Sequence, residues 1–153
     1  MNRIRFVIPS IFLLAASSVL AQNPTTTIDV KADVKGACQI VSAAEINFNN
    51  LDPADTTDKP ASGSMTFWCT KDQNYTISFN NGLNFSAGKR RMKGVTATTD
   101  FIAYDLTVTS LSGKGTGPST PITVQIPATV KAADYRNAAV GAYKDTLTAT
   151  VSN

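Results

Sequence analysis

The sequence predicts an all-β protein, folded as an antiparallel β-sandwich. About seven short stretches alternate apolar and polar residues with a period of two, which is the pattern of strands with one buried face. Residues typical of turns separate these stretches, and only residues 128–142 have a composition that suits a helical turn. Many short alternating strands divided by turn signals are typical of a sandwich.

The first 21 residues are predicted to be a signal peptide. Arg3 and Arg5 precede an apolar run at 6–16, and residues 19–21 end in a small residue, as a signal peptidase requires. The apolar run is too short for a comfortable membrane span, although an uncleaved anchor remains the alternative. Cleavage removes two arginines, so the formal charge falls from +3 to +1. A nearly neutral mature chain gives no reason to expect a nucleic-acid partner.

Residues 25–35 form the first predicted strand. One face of this strand is apolar and carries Ile28, Val30, Ala32 and Val34. The other face carries Asp29, Lys31, Asp33 and Lys35. The stretch precedes the first cysteine and a Gly-Ala break at 36–37, so it can pair either with its own domain or with a neighbouring one.

The two cysteines, Cys38 and Cys69, are expected to form one disulfide. Both lie in the exported part of the chain, and an even count in an oxidising compartment favours a bridge. A loop of about 30 residues gives about 3.5–4 kcal/mol of stabilisation from lost chain entropy. A zinc site is excluded because the sequence has no histidine and two thiolates do not complete one.

The later strands are predicted from the same alternation. They cover residues 39–41, 46–48, 64–70, 75–79, 83–85, 101–109, 122–126 and 143–151. Asn80, Asn81 and Gly82 predict a type I′ hairpin, because Asn and Gly tolerate positive φ. Tyr143, just before the last strand, predicts a tyrosine corner, in which the phenol hydroxyl bonds to the backbone. Since the sequence stops at residue 153, we expect no later segment to supply a further strand.

The remaining stretches are interpreted as loops. Residues 49–64 carry Asp52, Asp55 and Asp58, whose spacing lacks the ligand pattern of an EF-hand, so a solvated loop is favoured over a calcium site. Residues 89–93 are basic but contain no aromatic residue, which favours a solvated hairpin edge over a nucleic-acid patch. The glycines at 113–117 lack the context of a phosphate loop and indicate a connector.

The residue inventory argues against an enzyme. Without histidine the usual general base and the usual triad are absent. Glu45 is the only glutamate, and the disulfide occupies both thiols. We therefore expect no catalytic residue, no metal and no cofactor, which leaves a binding module or a self-assembling structural protein.

Several short motifs, taken together, carry a resemblance to a known family. They occupy residues 35–38, 68–69, 81–84, 89–92, 102–106 and 141–151, the last of which reads GAYKDTLTATV. In this order and spacing they resemble the spore coat protein U family, which includes the subunits of archaic chaperone–usher pili. The resemblance covers essentially the whole mature chain. It departs at 107–120, where a connector rich in Ser, Thr and Gly replaces the family's aromatic and acidic segment.

The resemblance implies an immunoglobulin-like sandwich that lacks its last strand. Residues 22–35 would be a donor strand with Ile28, Val30, Ala32 and Val34 as plugs, and residues 36–153 the incomplete domain. Cys38 and Cys69 would tie its first strand to its second. The implied partners are other pilin subunits, a periplasmic chaperone and an outer-membrane usher, on the route to a surface fibre that serves adhesion or biofilm formation.

Two alternatives remain at this point. The first is a secreted coat protein that self-assembles on a spore or cell surface. The second is a single carbohydrate-binding sandwich, whose usual sign would be exposed aromatic residues, whereas Trp68 is the only tryptophan.

Overall fold

The computed structural model describes residues 22–108 and 110–153. The predicted signal peptide lies outside the described residues. Val34–Asn153 form one compact unit, and the described residues before Val34 belong to a separate one. Within the described part of the chain, no helix is both long enough and apolar enough to cross a membrane.

The compact unit is built from short strands and one helical turn. In chain order these are β1 (Cys38–Ala44), β2 (Lys59–Cys69), β3 (Asn74–Phe79), β4 (Arg90–Gly94), β5 (Phe101–Leu106), β6 (Ser110–Lys114), β7 (Ile122–Val130), α1 (Ala132–Tyr135), β8 (Tyr143–Lys144) and β9 (Ala149–Ser152). One sheet has the order β1-β2-β7-β5-β4-β8 and the other has the order β6-β3-β9. All the strand pairs are antiparallel, as the sequence predicts.

The strand order is that of an immunoglobulin-like sandwich. In that fold one sheet runs A-B-E-D and the other runs C-F-G. Here β1-β2-β7-β5 take the A-B-E-D places and β3-β9 take the C-F places, while β4, β6 and β8 are additional. No strand among the described residues occupies the G place beside β9. The fold is therefore all-β and immunoglobulin-like, with its final strand missing.

The core lies between the sheets and follows the predicted alternation. In β2 the buried residues are Gly63, Met65, Phe67 and Cys69, and every second residue of β7 from Ile126 is also buried. The ring of Tyr75 in β3 meets Phe67 edge-on, with 4.9 Å between ring centroids. Burial on alternate positions is what places the two sheets face to face.

Several predicted boundaries are wrong. Residues 46–48 and 83–85 form no strand, and β2 begins at Lys59 inside the predicted loop. The predicted connector contains β6. The single strand predicted at 143–151 is two strands, because β8 pairs with β4 in one sheet and β9 with β3 in the other.

The predicted hairpin at Gly82 is also wrong. The strands on either side of it, β3 and β4, lie in different sheets. Gly82 does have a positive φ of 79°. The tight turn occurs five residues later, where Ala87 and Gly88 have φ of 50° and 75° and join the bridged pair Ser86 and Lys89. Positive φ at both central residues is the mark of a type I′ turn.

The three aspartates of the 49–58 loop each have a structural partner. Asp52 Oδ1 accepts from the Ala54 amide at 2.9 Å, and Asp55 forms an ion pair with Lys59. Asp58 Oδ1 accepts from the Ala132 amide at 2.9 Å, at the start of α1. These carboxylates hold the loop against β2 and α1.

Candidate strand-binding groove

A groove opens between the chain that leaves β1 and the chain that enters β9. It encloses a volume of about 700 Å³, with Ala43, Ile46 and Phe48 on one wall and Leu147 and Ala149 on the other. A second volume of about 580 Å³ shares Ile46 and Phe48 with the first and continues towards the residues after α1. The walls combine apolar side chains with polar groups, which include Glu45, Lys144 and Asp145.

The inner face of β1 is also uncovered at Ile40, which lies outside the residues that line the two groove volumes. Ile40 lies directly opposite Phe67 of β2, and residues so paired point to the same side of a sheet. Phe67 is 0% exposed and lies in the core, yet Ile40 is 45% exposed. A side chain that faces the interior and still meets solvent shows that the layer above it is missing.

The inner face of β9 shows the same feature. Ala149 and Val151 lie opposite Phe79 and Ile77, two core residues of β3, but are themselves only half-buried. Among the described strands β9 pairs only with β3, and β1 pairs only with β2. Each therefore presents a free edge of backbone N–H and C=O groups, and these groups are available to an added strand.

The crossover between the sheets, residues 145–148, carries Leu147 into the groove wall. These four residues lie between the last pairing of β8 and the first pairing of β9, and Asn80 holds them. The Asn80 Oδ1 accepts from the Thr148 amide at 2.9 Å, and the Asn80 amide donates to the Thr148 carbonyl at 3.0 Å. The position of this wall therefore depends on a side chain of another loop.

Asp145 holds the other end of the crossover. Its Oδ1 accepts from the Leu83 amide at 2.9 Å and from Asn84 Nδ2 at 3.1 Å, and its Oδ2 accepts from the Tyr104 hydroxyl at 2.6 Å. Burial, followed by this hydrogen bond and the charge of Asp145, raises the pKa of Tyr104 above its ordinary value of 10.0. The phenol therefore stays a hydrogen-bond donor well into the alkaline range.

Tyr143 makes the bond that a tyrosine corner requires. Its hydroxyl donates to the carbonyl of Ala139, four residues upstream, at 2.8 Å. This bond closes the loop that precedes β8. Tyr143 also lines both volumes of the groove, so the corner shapes the site as well as the fold.

A disulfide and a short set of hydrogen bonds anchor the start of the domain. Cys38 is bonded to Cys69, which confirms the predicted bridge and joins β1 to β2. One residue earlier, the Ala37 carbonyl accepts from the Thr70 amide at 2.8 Å, and the Ala37 amide donates to Thr70 Oγ1 at 3.0 Å. Ala37 therefore continues the line of β1 along the end of β2.

The predicted donor segment is not part of any sheet. None of residues 22–37 lies in a strand. Ile28 is 83% exposed and Val30 is 92% exposed, and Ala32 and Val34 are also exposed. The expected apolar face therefore stands in solvent in this single chain, and its role as a donor remains a prediction.

The basic cluster of β4 has a structural use. Arg90 donates to the Asn80 carbonyl, with 2.9 Å from its nearer nitrogen, and Arg91 Nε donates to the Asn84 carbonyl at 3.0 Å. Arg91 also lies over the ring of Phe101, 4.2 Å from its centroid. Both arginines hold the 80–84 loop, which in turn holds the crossover.

Sequence reasoning identified the apolar face of residues 25–35 but not the groove. The groove walls come from segments about a hundred residues apart, and only the strand order brings them together. Asp145 and Leu147 both belong to the motif at 141–151, which was the signal in the sequence that these positions matter. They lie where the chain passes from one sheet to the other.

The chain belongs to the Spore Coat Protein U domain family, which it matches over residues 24–150. It is also similar to Protein U of Myxococcus xanthus, with 33% identity over an alignment of 183 positions that covers 99% of each chain. The family resemblance drawn from the motifs is therefore confirmed.

Two solved structures are also similar. One is the CsuC–CsuE chaperone–tip adhesion subunit complex of the archaic Csu pili of Acinetobacter baumannii, with a TM-score of 0.48, 26% identity, and coverage of 77% of this chain and 40% of that one. The other is a chaperone–tip adhesin complex of CFA/I fimbriae, with a TM-score of 0.49, 19% identity, and coverage of 74% and 41%. Because both TM-scores are below 0.5, neither supports the assignments made below.

Proposed function

We propose that this protein is a structural subunit of a fibre on the cell surface, exported through the periplasm, and not an enzyme. It polymerises when residues 22–35 of one copy enter the groove between β1 and β9 of the next. The observation that carries the proposal is the open groove between the chain that leaves β1 and the chain that enters β9, together with incomplete burial of Ile40 and Val151, which face the interior from these two strands. Adhesion or biofilm formation is the role we propose for the fibre.

The donor segment suits the groove in pattern and in chemistry. Side chains on one face of a strand recur about every 6.6–6.8 Å, so the four plugs reach along about 20 Å of groove. The apolar face turns inward, and the charged face, from Asp29 to Lys35, stays in water. The free edges of β1 and β9 supply main-chain partners, as in other cases of recognition by strand addition.

The energetics favour a tight joint. Burial of Ile28, Val30 and Val34 contributes about 1.5–3 kcal/mol each, and Ala32 less. Backbone hydrogen bonds of the added strand contribute about 0.5–1.5 kcal/mol each. The loss of free rotation opposes association once, and the ordering of the segment opposes it by an amount that grows with each residue fixed.

The anchor at residues 36–38 favours donation to a neighbour over filling of the chain's own groove. The free edge of β1 is opposite to the edge that pairs with β2. Ala37 is bonded to Thr70 at the end of β2, and Thr70 Oγ1 also donates to the Lys35 carbonyl at 3.3 Å. To enter its own groove the chain would have to reverse direction where these bonds hold it.

The open groove also accounts for the proposed chaperone and usher. Apolar side chains and an unpaired strand edge are an aggregation hazard before polymerisation. A periplasmic chaperone that lends a strand would cover both, and an outer-membrane usher would be the place where the next subunit replaces it. Family membership supports this route.

A coat protein is the second candidate, favoured by the family description and by the full-length similarity to Protein U. It would use the same joint to form a layer on a spore or cell. A chaperone and an usher encoded beside this gene would favour the fibre, and assembly in a host that lacks both would favour the coat.

A charge on the apolar face of the donor segment tests the proposal. Val30→Asp places a carboxylate in an apolar pocket without a partner, at a cost of several kcal/mol. Thr27→Asp adds the same group to the outward face and is the matched control. We expect Val30→Asp to abolish the heat-resistant ladder of polymers on a gel and Thr27→Asp to leave it intact. Equal ladders from both variants would show that this segment is not the donor.

A further inference from the structure

We propose that Asp145 is a positioning residue of the groove: it fixes the crossover at 145–148 so that the groove is already formed before a donor strand arrives. The inference rests on the proposed function and adds to it which residue makes a subunit a competent acceptor. Asp145 acts through the wall that carries Leu147.

The first step of the argument is that the crossover needs support. Residues 145–148 leave the ladder of one sheet before they join the other, so their backbone has no strand partner of its own. In a complete sandwich a G strand would pack beside this region. Without that strand, the wall must be held by other side chains of the same domain.

The second step is that Asp145 provides this support from three directions. Its two oxygens accept three hydrogen bonds, from the Leu83 amide, the Asn84 side chain and the Tyr104 hydroxyl. The 80–84 loop that supplies two of these donors is itself held by Arg90 and Arg91 of β4. The crossover is thereby tied to β4 and β5 of the larger sheet.

The third step is that the sequence leaves room for this carboxylate. Gly82 lies so close that a Cβ added there would clash with Asp145 Oδ2. The Gly82 amide donates a hydrogen bond to Asn80 Oδ1 at 3.1 Å, and the same oxygen accepts a second one from the Thr148 amide. The two ends of the crossover are therefore fixed by one connected set of side chains.

It follows that a substitution can impair the acceptance of a strand by a subunit without impairing its donation of one. Donation needs only the N-terminal segment, whereas acceptance needs the groove wall in place. Preorganisation lowers the cost of binding a strand, so its loss weakens acceptance. Asp145→Ala removes all three hydrogen bonds and is expected to lower the yield of accepted strands about tenfold, while donation by the same chain is unchanged.

Asparagine at the same position provides the conservative variant. In Asp145→Asn the amide oxygen still accepts from Leu83 and Asn84, and the NH₂ group can donate to the oxygen of Tyr104. We expect its acceptance within about twofold of the wild type, because the geometry and not the charge is required. Asp105→Ala, which removes an exposed carboxylate from β5, is the control and should behave as the wild type.

The experiment mixes full-length chains during assembly and counts heat-resistant polymers. Asp145→Ala alone is expected to give few polymers, and Val30→Asp alone none. Together they are expected to give dimers with one copy of each, because the Asp145→Ala chain donates into the intact groove of the Val30→Asp chain. Two epitope tags identify the chains, and the Cys38–Cys69 bond, checked by mass spectrometry, verifies that each is oxidised.

The outcomes separate this inference from the proposed function. If Asp145→Ala polymerises as well as Asp105→Ala, or if it forms no mixed dimer, Asp145 is not a residue specific to acceptance and the inference is wrong. If instead Val30→Asp polymerises like the wild type, the proposed function itself fails, whatever Asp145 does. A mixed dimer together with near-normal polymers from Asp145→Asn supports the inference.

Discussion

Tyr104 shows how one hydroxyl links the stability of this fold to pH. The side chain is buried and donates to Asp145, and its pKa is raised in the folded protein. A raised tyrosine pKa means that the folded state binds its proton more tightly than the unfolded state does. The corresponding stability is complete below the ordinary value of 10.0 and is lost as the pH rises from there towards the folded pKa.

The first prediction follows from this sign. Between about pH 9 and pH 11.5 the free energy of unfolding of the wild type should fall more steeply than that of Tyr104→Phe, which has no proton to lose at this position. Urea unfolding at several pH values measures both slopes, and the comparison cancels the titration of other groups. Parallel slopes would mean that Tyr104 does not carry the effect.

Gly82 and Gly88 separate backbone strain from side-chain crowding. Both have positive φ, of 79° and 75°, but an added Cβ at Gly82 meets Asp145 whereas one at Gly88 meets nothing within 4 Å. Each alanine variant suffers the left-handed backbone penalty of about 1–2 kcal/mol. Only the Gly82 variant must also displace the carboxylate.

The second prediction is that Gly82→Ala destabilises the subunit by at least about 1 kcal/mol more than Gly88→Ala, since a hydrogen bond to a charged group contributes about 1.5–3 kcal/mol. Chemical unfolding of the two variants under the same conditions gives the difference directly. Equal losses would show that the carboxylate moves without cost, and would weaken the role given to Asp145.

At the scale of elements, the strands with full burial on one face were predictable from sequence. β2 and β7 alternate cleanly because each is covered by the opposite sheet, and burial on one face is what imposes a period of two. Met65, Phe67 and Ile126, which alternate with polar residues in the strands predicted at 64–70 and 122–126, are buried. The class of fold follows from the repetition of such strands.

The changes of sheet could not be read from the sequence. The alternation of Leu147, Ala149 and Val151 continues smoothly from Tyr143, because all four residues face the interior although Tyr143 belongs to a different sheet. Likewise Asn81-Gly82 has the chemistry of a turn, but the next two residues, Leu83 and Asn84, bond to Asp145, which lies more than 60 residues further along the chain. Long-range hydrogen bonds of this kind leave no local pattern.

For the candidate site, the sequence supplied one half. The apolar face of residues 25–35 was identified from alternation alone, since nothing beyond the segment is needed to see it. The groove depended on the pairing of β1 with β2 and of β9 with β3. Ile40 could be recognised as an uncovered interior residue only after its register opposite Phe67 was known.

At the scale of the whole molecule, a sandwich without a described G strand is preceded by an apolar segment that belongs to no sheet. The disulfide and the Thr70 bonds fix the point at which the segment ends and the domain begins. The tyrosine corner and the Asp145 bonds fix the opposite wall of the groove. In the proposed fibre, each copy offers the strand that the next copy lacks.

Cysteine cross-linking between two copies tests this central claim most directly. One tagged chain carries Leu147→Cys in the groove wall, and its partner carries a single cysteine at one position from residue 28 to residue 34. The chains are assembled together and oxidised, and the disulfide-linked pairs are measured on a non-reducing gel. The account predicts that the yield alternates with a period of two, with its maximum at one of Ile28, Val30, Ala32 or Val34 and low values at the positions on either side. Yields that show no alternation, or bonds that form only within one chain, would contradict strand donation between copies.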